Sequence, residues 1–340
     1  SSAPASGASA SAQGSSTPTS GGEPVTLTMV TYDSFAASKD VLQAFTDETG
    51  IRLKLLPIGD TGETLSRVIL TKDRPLGDVL WGVDTTYLSR AQGAGITVPY
   101  ASPALADVDP ALVATVPAHD LTPVDDGDVC VNVDHGWYAR KGIPEPRTLD
   151  DLADPRYRGQ LVVEDPTVSA PGLAFLLATV ARYGEDGFAG YWERLRKNDV
   201  QVVSGWTEAY TAQFSGSSGK GPRPLVVSYG TSPPAEMLEA TPPLPAQGPT
   251  GVLEDTCFRT TEYAAILKGT AHEAEARKLI DFLLSERFQA DMPMQIFVLP
   301  VRTGTPLPDV FRRYAVIPQH PATLPPDRIE ARRDAWIDAW

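Results

Sequence analysis

Histidine and cysteine are scarce in this chain of 340 residues, with four of the first and two of the second. His119, His135, His272 and His320 stand far apart, with neither an HExxH pair nor Cys/His ligand spacing, which argues against a zinc site. Positive charge is also in deficit: 29 Lys and Arg against 43 Asp and Glu give a formal net charge of −14. A nucleic-acid surface needs a basic patch, so that class of partner is set aside. Long apolar runs are missing too. The longest, Gly172 to Ala181, is about half the ~20 residues that a membrane helix requires. No GxSxG elbow is present, and no Gly-rich dinucleotide fingerprint follows the first strand, where Tyr32 and Asp33 stand instead. Gly216-Ser217-Ser218-Gly219-Lys220 has the wrong spacing for a phosphate loop, and Gly221 replaces the required Ser or Thr, so it reads as a surface loop. No signal peptide is recognisable, and the chain is expected to be a mature or trimmed form.

What is present is an alternation of strand and helix signals. Residues 1–23 are almost wholly Ser, Ala, Gly, Thr and Pro and read as a flexible leader, a tether to a lipid anchor. Val25 to Val30 predicts a buried strand, Ser38 an N-cap with a helix through Phe45 ended by Gly50, and Ile51 to Leu56 a second strand. A helix from Glu63 to Thr71 and a strand from Gly77 to Trp81 continue the β-α-β pattern of a largely parallel sheet. After a Pro- and Asp-rich stretch, Thr148 with Asp151 forms a capping-box pattern and Leu161 to Glu164 a strand. Ser169-Ala170-Pro171 starts an apolar helix, and Val200 to Val203 and Leu225 to Tyr229 are further strands. His272 to Ala290 reads as one long amphipathic helix, and Ile329, Trp336 and Trp340 as a docking stripe.

Two α/β regions with two crossings predict a pair of lobes. The first takes residues 24–127 and 256–340, the second residues 128–255. Cys130 and Cys257 fall in short strand-like runs close to those crossings, and a bridge joining the two hinge strands is expected. Such a bridge stabilises by roughly 2–4 kcal/mol.

The most informative pattern is a set of aromatic-plus-carboxylate turns at strand ends: Thr31-Tyr32-Asp33-Ser34-Phe35, Trp81-Gly82-Val83-Asp84, Ser204 to Tyr210, and Ser228 to Pro233. Open α/β sheets bind ligands beyond the carboxyl ends of their strands. Tyr, Trp and Asp gathered there suit a flat organic cation, because ring faces attract positive charge and a carboxylate neutralises it. The pattern describes a binding site more than a reaction centre.

In order and spacing these runs resemble the thiamine-binding periplasmic proteins of ABC transporters. Asp78 to Asp84, Asp165-Pro166-Thr167 with Pro171-Gly172-Leu173, and Arg332 to Ile337 add to the resemblance. It implies an α/β, type II periplasmic-binding-protein fold, two lobes joined by two hinge strands and closing on a ligand for delivery to a permease. The expected protein is an extracytoplasmic monomer without cofactor or catalytic residue. Family aromatic positions fall on Tyr32, Trp206 and Tyr229. A family tryptophan falls at Phe297, a family tyrosine at Ala235, and Asp126 and Asp128 stand where the family is aromatic.

On that basis Trp206, Tyr32 and Tyr229 are expected to flank the thiamine rings, with Phe297 either pocket wall or core. Asp33, Asp84 and Asp165 either meet the amino group and thiazolium or cap local backbone. For a phosphorylated ligand, the helix starts at Thr61, Gly62 and Ser169 offer N–H donors. Alternatives are another cation (a polyamine or ferric iron) and a thiaminase I-type enzyme using Cys130, which needs that thiol free.

Overall fold

Apolar β-formers dictate the first elements of the computed structural model, which describes residues 24–217 and 221–340. Strand β1 (Thr26–Thr31) pairs in parallel with β2 (Arg52–Pro57) and β3 (Val79–Asp84). All six residues of β3 are buried, five of them the apolar run Val79 to Val83 that suits a strand covered on both faces. β2 is the sheet edge and exposes Arg52 and Lys54, charges that discourage pairing with another chain. A second parallel set is formed by β6 (Leu161–Glu164) with β7 (Gln201–Val203) and β8 (Leu225–Tyr229).

Between the two sets run β5 (Thr122–Asp134) and β9 (Thr250–Leu267), antiparallel strands of 13 and 18 residues. β9 pairs with β3 on one side, and β5 pairs with β8 on the other, giving the order β2-β1-β3-β9-β5-β8-β6-β7. Short strands β4 (Thr97–Val98) and β10 (Leu299–Pro300) lie off that path, on β9 and β5. The register of β5 with β9 slips between Val129 and Val131, where β9 bulges. Cys130 and Cys257 are joined there, their Cα atoms 4.2 Å apart, so the expected disulfide is present.

Most helix starts match their sequence signals. The helix Lys39–Thr49 follows Ser38 and ends at Gly50, whose φ of 73° favours glycine. It runs beyond Phe45, and Ser38 turns its hydroxyl to Asp291 instead of capping. Thr148 and Asp151 form the reciprocal capping box. Ser169 caps the helix Ala170–Lys197, which breaks internally at Gly184.

Other boundaries differ as well, and the helix expected over 63–71 spans Thr61–Leu70. The third strand begins at Val79, not Gly77, and therefore ends on Asp84. The single helix expected over 272–290 is two, Glu273–Leu283 and Glu286–Gln295. Ser285 adopts an extended conformation between them and its hydroxyl accepts from Phe288 N, a local cap that outcompetes the continuous amphipathic pattern. The helix Pro326–Ala339 buries Ile329 and Trp336, and Trp340 meets Trp192 edge-on at 5.7 Å.

Candidate ligand-binding site

The carboxyl ends of β1 and β8, the turn after β2, and the segment between Gln295 and Val298 converge on a cavity of about 270 Å³. Tyr32, Asp33, Trp206, Tyr229 and Phe297 all line it, together with Asp60, Tyr210, Ala235 and Glu262. No Lys, Arg or His is among its lining residues in the described part of the chain.

Tyr32 owes its position to the backbone beside it. Gly82 has φ 92°, and a Cβ there would lie 2.4 Å from the Tyr32 ring. The phenol donates to Glu262 Oε2 at 3.1 Å, and Trp81 Nε1 stands 3.5 Å from its oxygen. Trp206 is held from three directions. Its indole N–H donates to Ser228 Oγ at 2.9 Å, its backbone N–H donates to Asp60 Oδ2 at 3.1 Å, and Tyr210 stacks on it at 4.9 Å and 13°. Tyr229 follows Ser228 at the end of β8, its N–H donating to Ser232 Oγ at 3.1 Å. Phe297 reaches the wall from a left-handed backbone, φ 57°, uncommon for an aromatic residue. Asp33 accepts from Thr207 Oγ1 at 3.1 Å, tying the β1 turn to the Trp206 turn.

Other expected site residues stand elsewhere. Asp84 is buried and accepts from Thr86 N and Oγ1 at 3.1 and 2.6 Å, the local backbone role. Asp165 does the same for Thr167 N and Oγ1, at 2.8 and 2.6 Å. Neither lines the cavity.

The anion donors expected at two helix starts are already engaged. Asp60 accepts from Thr61 N at 2.7 Å and Ala170 N at 3.0 Å through one oxygen. Through the other it accepts from Ser169 Oγ at 2.9 Å and from Trp206 N. A carboxylate of the chain thus sits where Thr61 and Ser169 were expected to offer donors to phosphate. Gly62 is closed off as well, since a Cβ there would meet Val168 O at 2.6 Å. Burial pushes the Asp60 carboxyl up, opposed by the four donated bonds.

Glu262 is the second residue that sequence reasoning missed. It sits on β9 in register with Asp84 on β3 and Asp125 on β5. Burial, with repulsion from Asp84, pushes Glu262 up to about 7, and burial, with repulsion from Asp60, pushes Asp84 up to about 7. Asp125 is raised well above the carboxylate range by burial and by Glu262. The signal available was a Glu directly preceding the apolar run Tyr263 to Leu267. Asp60 carried none beyond an ordinary helix cap, because Ala170 and Trp206 are distant in sequence.

The arrangement can enclose a small flat molecule between ring faces and set carboxylates against its positive charge. Comparisons with known proteins agree with that class. The family model for bacterial extracellular solute-binding proteins matches residues 74–315. The chain is 30% identical over 329 residues to the thiamine-binding periplasmic protein of Escherichia coli (strain K12), covering 92% of each. It is 28% identical to the protein of the same name from Brucella suis biovar 1 (strain 1330), covering 93% of this chain and 91% of that one. A solved structure described as a periplasmic thiamin binding protein superposes with a TM-score of 0.80 at 27% identity, covering 95% of this chain and 97% of that one. The shared two-lobed α/β architecture is the type II fold that the sequence led us to expect. With the family model matched over most of the chain and relatives aligned nearly end to end, this protein belongs to the bacterial extracellular solute-binding proteins.

Proposed function

We propose that this protein captures thiamine outside the cytoplasm, holds it between its two lobes without chemical turnover, and delivers it to an ABC permease. The observation that carries the reading is the convergence of Tyr32, Trp206 and Tyr229 on one cavity whose charged lining is Asp33, Asp60 and Glu262. A permanently positive thiazolium beside an aminopyrimidine matches that wall, each desolvated ring–cation contact contributing about 0.5–2 kcal/mol. The names of the relatives support the same ligand.

Two alternatives have less support. A relative named for iron uptake is more distant in sequence than those named for thiamine, which favours thiamine over ferric iron. Cys130 is bonded to Cys257, so the thiolate that a thiaminase-type step requires is tied up.

Calorimetry of the purified chain with thiamine at micromolar concentration tests the proposal. Saturable one-site heat with thiamine recovered intact is the expected result. Absence of heat, or loss of thiamine during incubation, would remove it.

A further inference from the structure

The charges beneath the cleft are unbalanced. Asp84, Glu262 and Asp125 stand side by side across three neighbouring strands, all buried. Glu262 faces the cavity and takes one bond from the Tyr32 phenol, while Asp125 Oδ2 is buried without a hydrogen-bond partner. The groups around Glu262 are Tyr32 from β1, Asp60 from the turn after β2, Asp84 from β3, Asp125 from β5 and Tyr229 from β8, while Asp126 bears on Asp125 and is bonded by Thr261. The segment from Gln295 to Val298 adds no titratable side chain. Arg259, on the same strand, is engaged with Asp128 at 2.7 Å.

Two carboxylates opposite each other on neighbouring strands, buried and without a cation, do not both ionise readily, so the pair retains a proton. We propose that Glu262 and Asp125 share one exchangeable proton beneath the cleft and that a cationic ligand replaces it, so that capture of thiamine releases a proton to solvent. The inference rests on the thiamine reading above and adds to it a regulation of the same site. One carboxyl O–H bond breaks, its proton passes to water, and the carboxylate left behind faces the positive charge of the ligand. Nothing is oxidised or reduced.

The sign follows from the direction of the shift. Burial holds the free pair protonated to near neutral pH, with Glu262 at about 7. A fixed positive charge above Glu262 favours its ionised form, so affinity rises with pH and levels off once Glu262 ionises unaided. At its steepest the rise is roughly tenfold per pH unit.

Calorimetric titration of the full chain with thiamine near pH 6, 7 and 8, each in two buffers of different ionisation heat, counts the protons. Net release approaching one per thiamine near pH 6 and falling toward zero near pH 8 is expected, with affinity climbing across the same range. Glu262→Gln keeps an acceptor for Tyr32 but cannot titrate, so it should bind more weakly, release no proton and show a flat profile. Asp125→Ala removes the group whose hydrogen bond holds Glu262 down and should move the midpoint of the profile to higher pH, a readout that stands even if Glu262→Gln does not fold. Heat with no proton release, or release unchanged in Glu262→Gln, overturns this inference and leaves the thiamine reading intact. No heat at any pH removes both.

Discussion

Gly82 governs a side chain it does not touch in sequence. Its φ of 92° and the 2.4 Å that would separate a Cβ from the Tyr32 ring make Gly82→Ala doubly strained. That substitution should cost roughly 1–3 kcal/mol of stability, read in a denaturant titration, and weaken thiamine binding because the phenol must shift. Trp206→Ala removes a ring face and should weaken binding by about 0.5–2 kcal/mol in calorimetry, with Trp206→Phe intermediate. Tyr32, Asp33, Trp206 and Tyr229 were legible as candidates because they lie at strand ends or in the turns that follow, where such sheets gather their loops, whereas Phe297 came only from the family resemblance. Asp84 and Asp165 carried the same local signal yet spend it on Thr86 and Thr167. The sequence pattern of an Asx turn is the same whether the carboxylate also faces a ligand or not.

Elements meet at Asp60. Its carboxylate receives the starts of the helices Thr61–Leu70 and Ala170–Lys197 and the turn at Trp206, so one side chain fastens β2's turn to the opposite half of the cleft. Asp60→Ala would leave those donors unpaired and should lower stability by roughly 1–3 kcal/mol. Small-angle scattering of the same variant should show a larger radius of gyration, since Asp60, with Asp33 on Thr207, bridges the lobes. Helix and strand identities were readable from caps and apolar period. The interruption at Ser285 was not, because no Gly or Pro marks it and only the local serine cap divides 273–283 from 286–295, where the buried face moves from Ala276, Leu279 and Ile280 to Phe288, Gln289 and Met292. The crossing strands were readable only as two short runs around Cys130 and Cys257. Their full length of 13 and 18 residues depends on partners far away in sequence.

At the scale of the molecule, raised carboxyls set the response to pH. Asp84 and Glu262 stand at about 7 in the fold, against about 4 in an unfolded chain. The folded state therefore binds their protons more tightly. The contribution is fully present below about pH 4 and is lost as pH rises through 7. Thermal melts without ligand should accordingly give a lower midpoint near pH 8 than near pH 5.5, and thiamine should narrow the gap. The bridge between β5 and β9 acts on the unfolded ensemble, and replacing both cysteines by serine should cost roughly 2–4 kcal/mol in denaturant. The placement of the tryptophans bears on how loading can be watched. Of the six indoles, Trp206 alone lines the cavity, while Trp81, Trp192 and Trp336 are sealed in the cores and Trp340 abuts Trp192. Emission excited at long ultraviolet wavelength is thus shared among six rings of which one lines the cavity. Quenching on loading should be shallow in the native chain and vanish in Trp206→Phe, which makes that one chromophore a built-in optical reporter of the filled state.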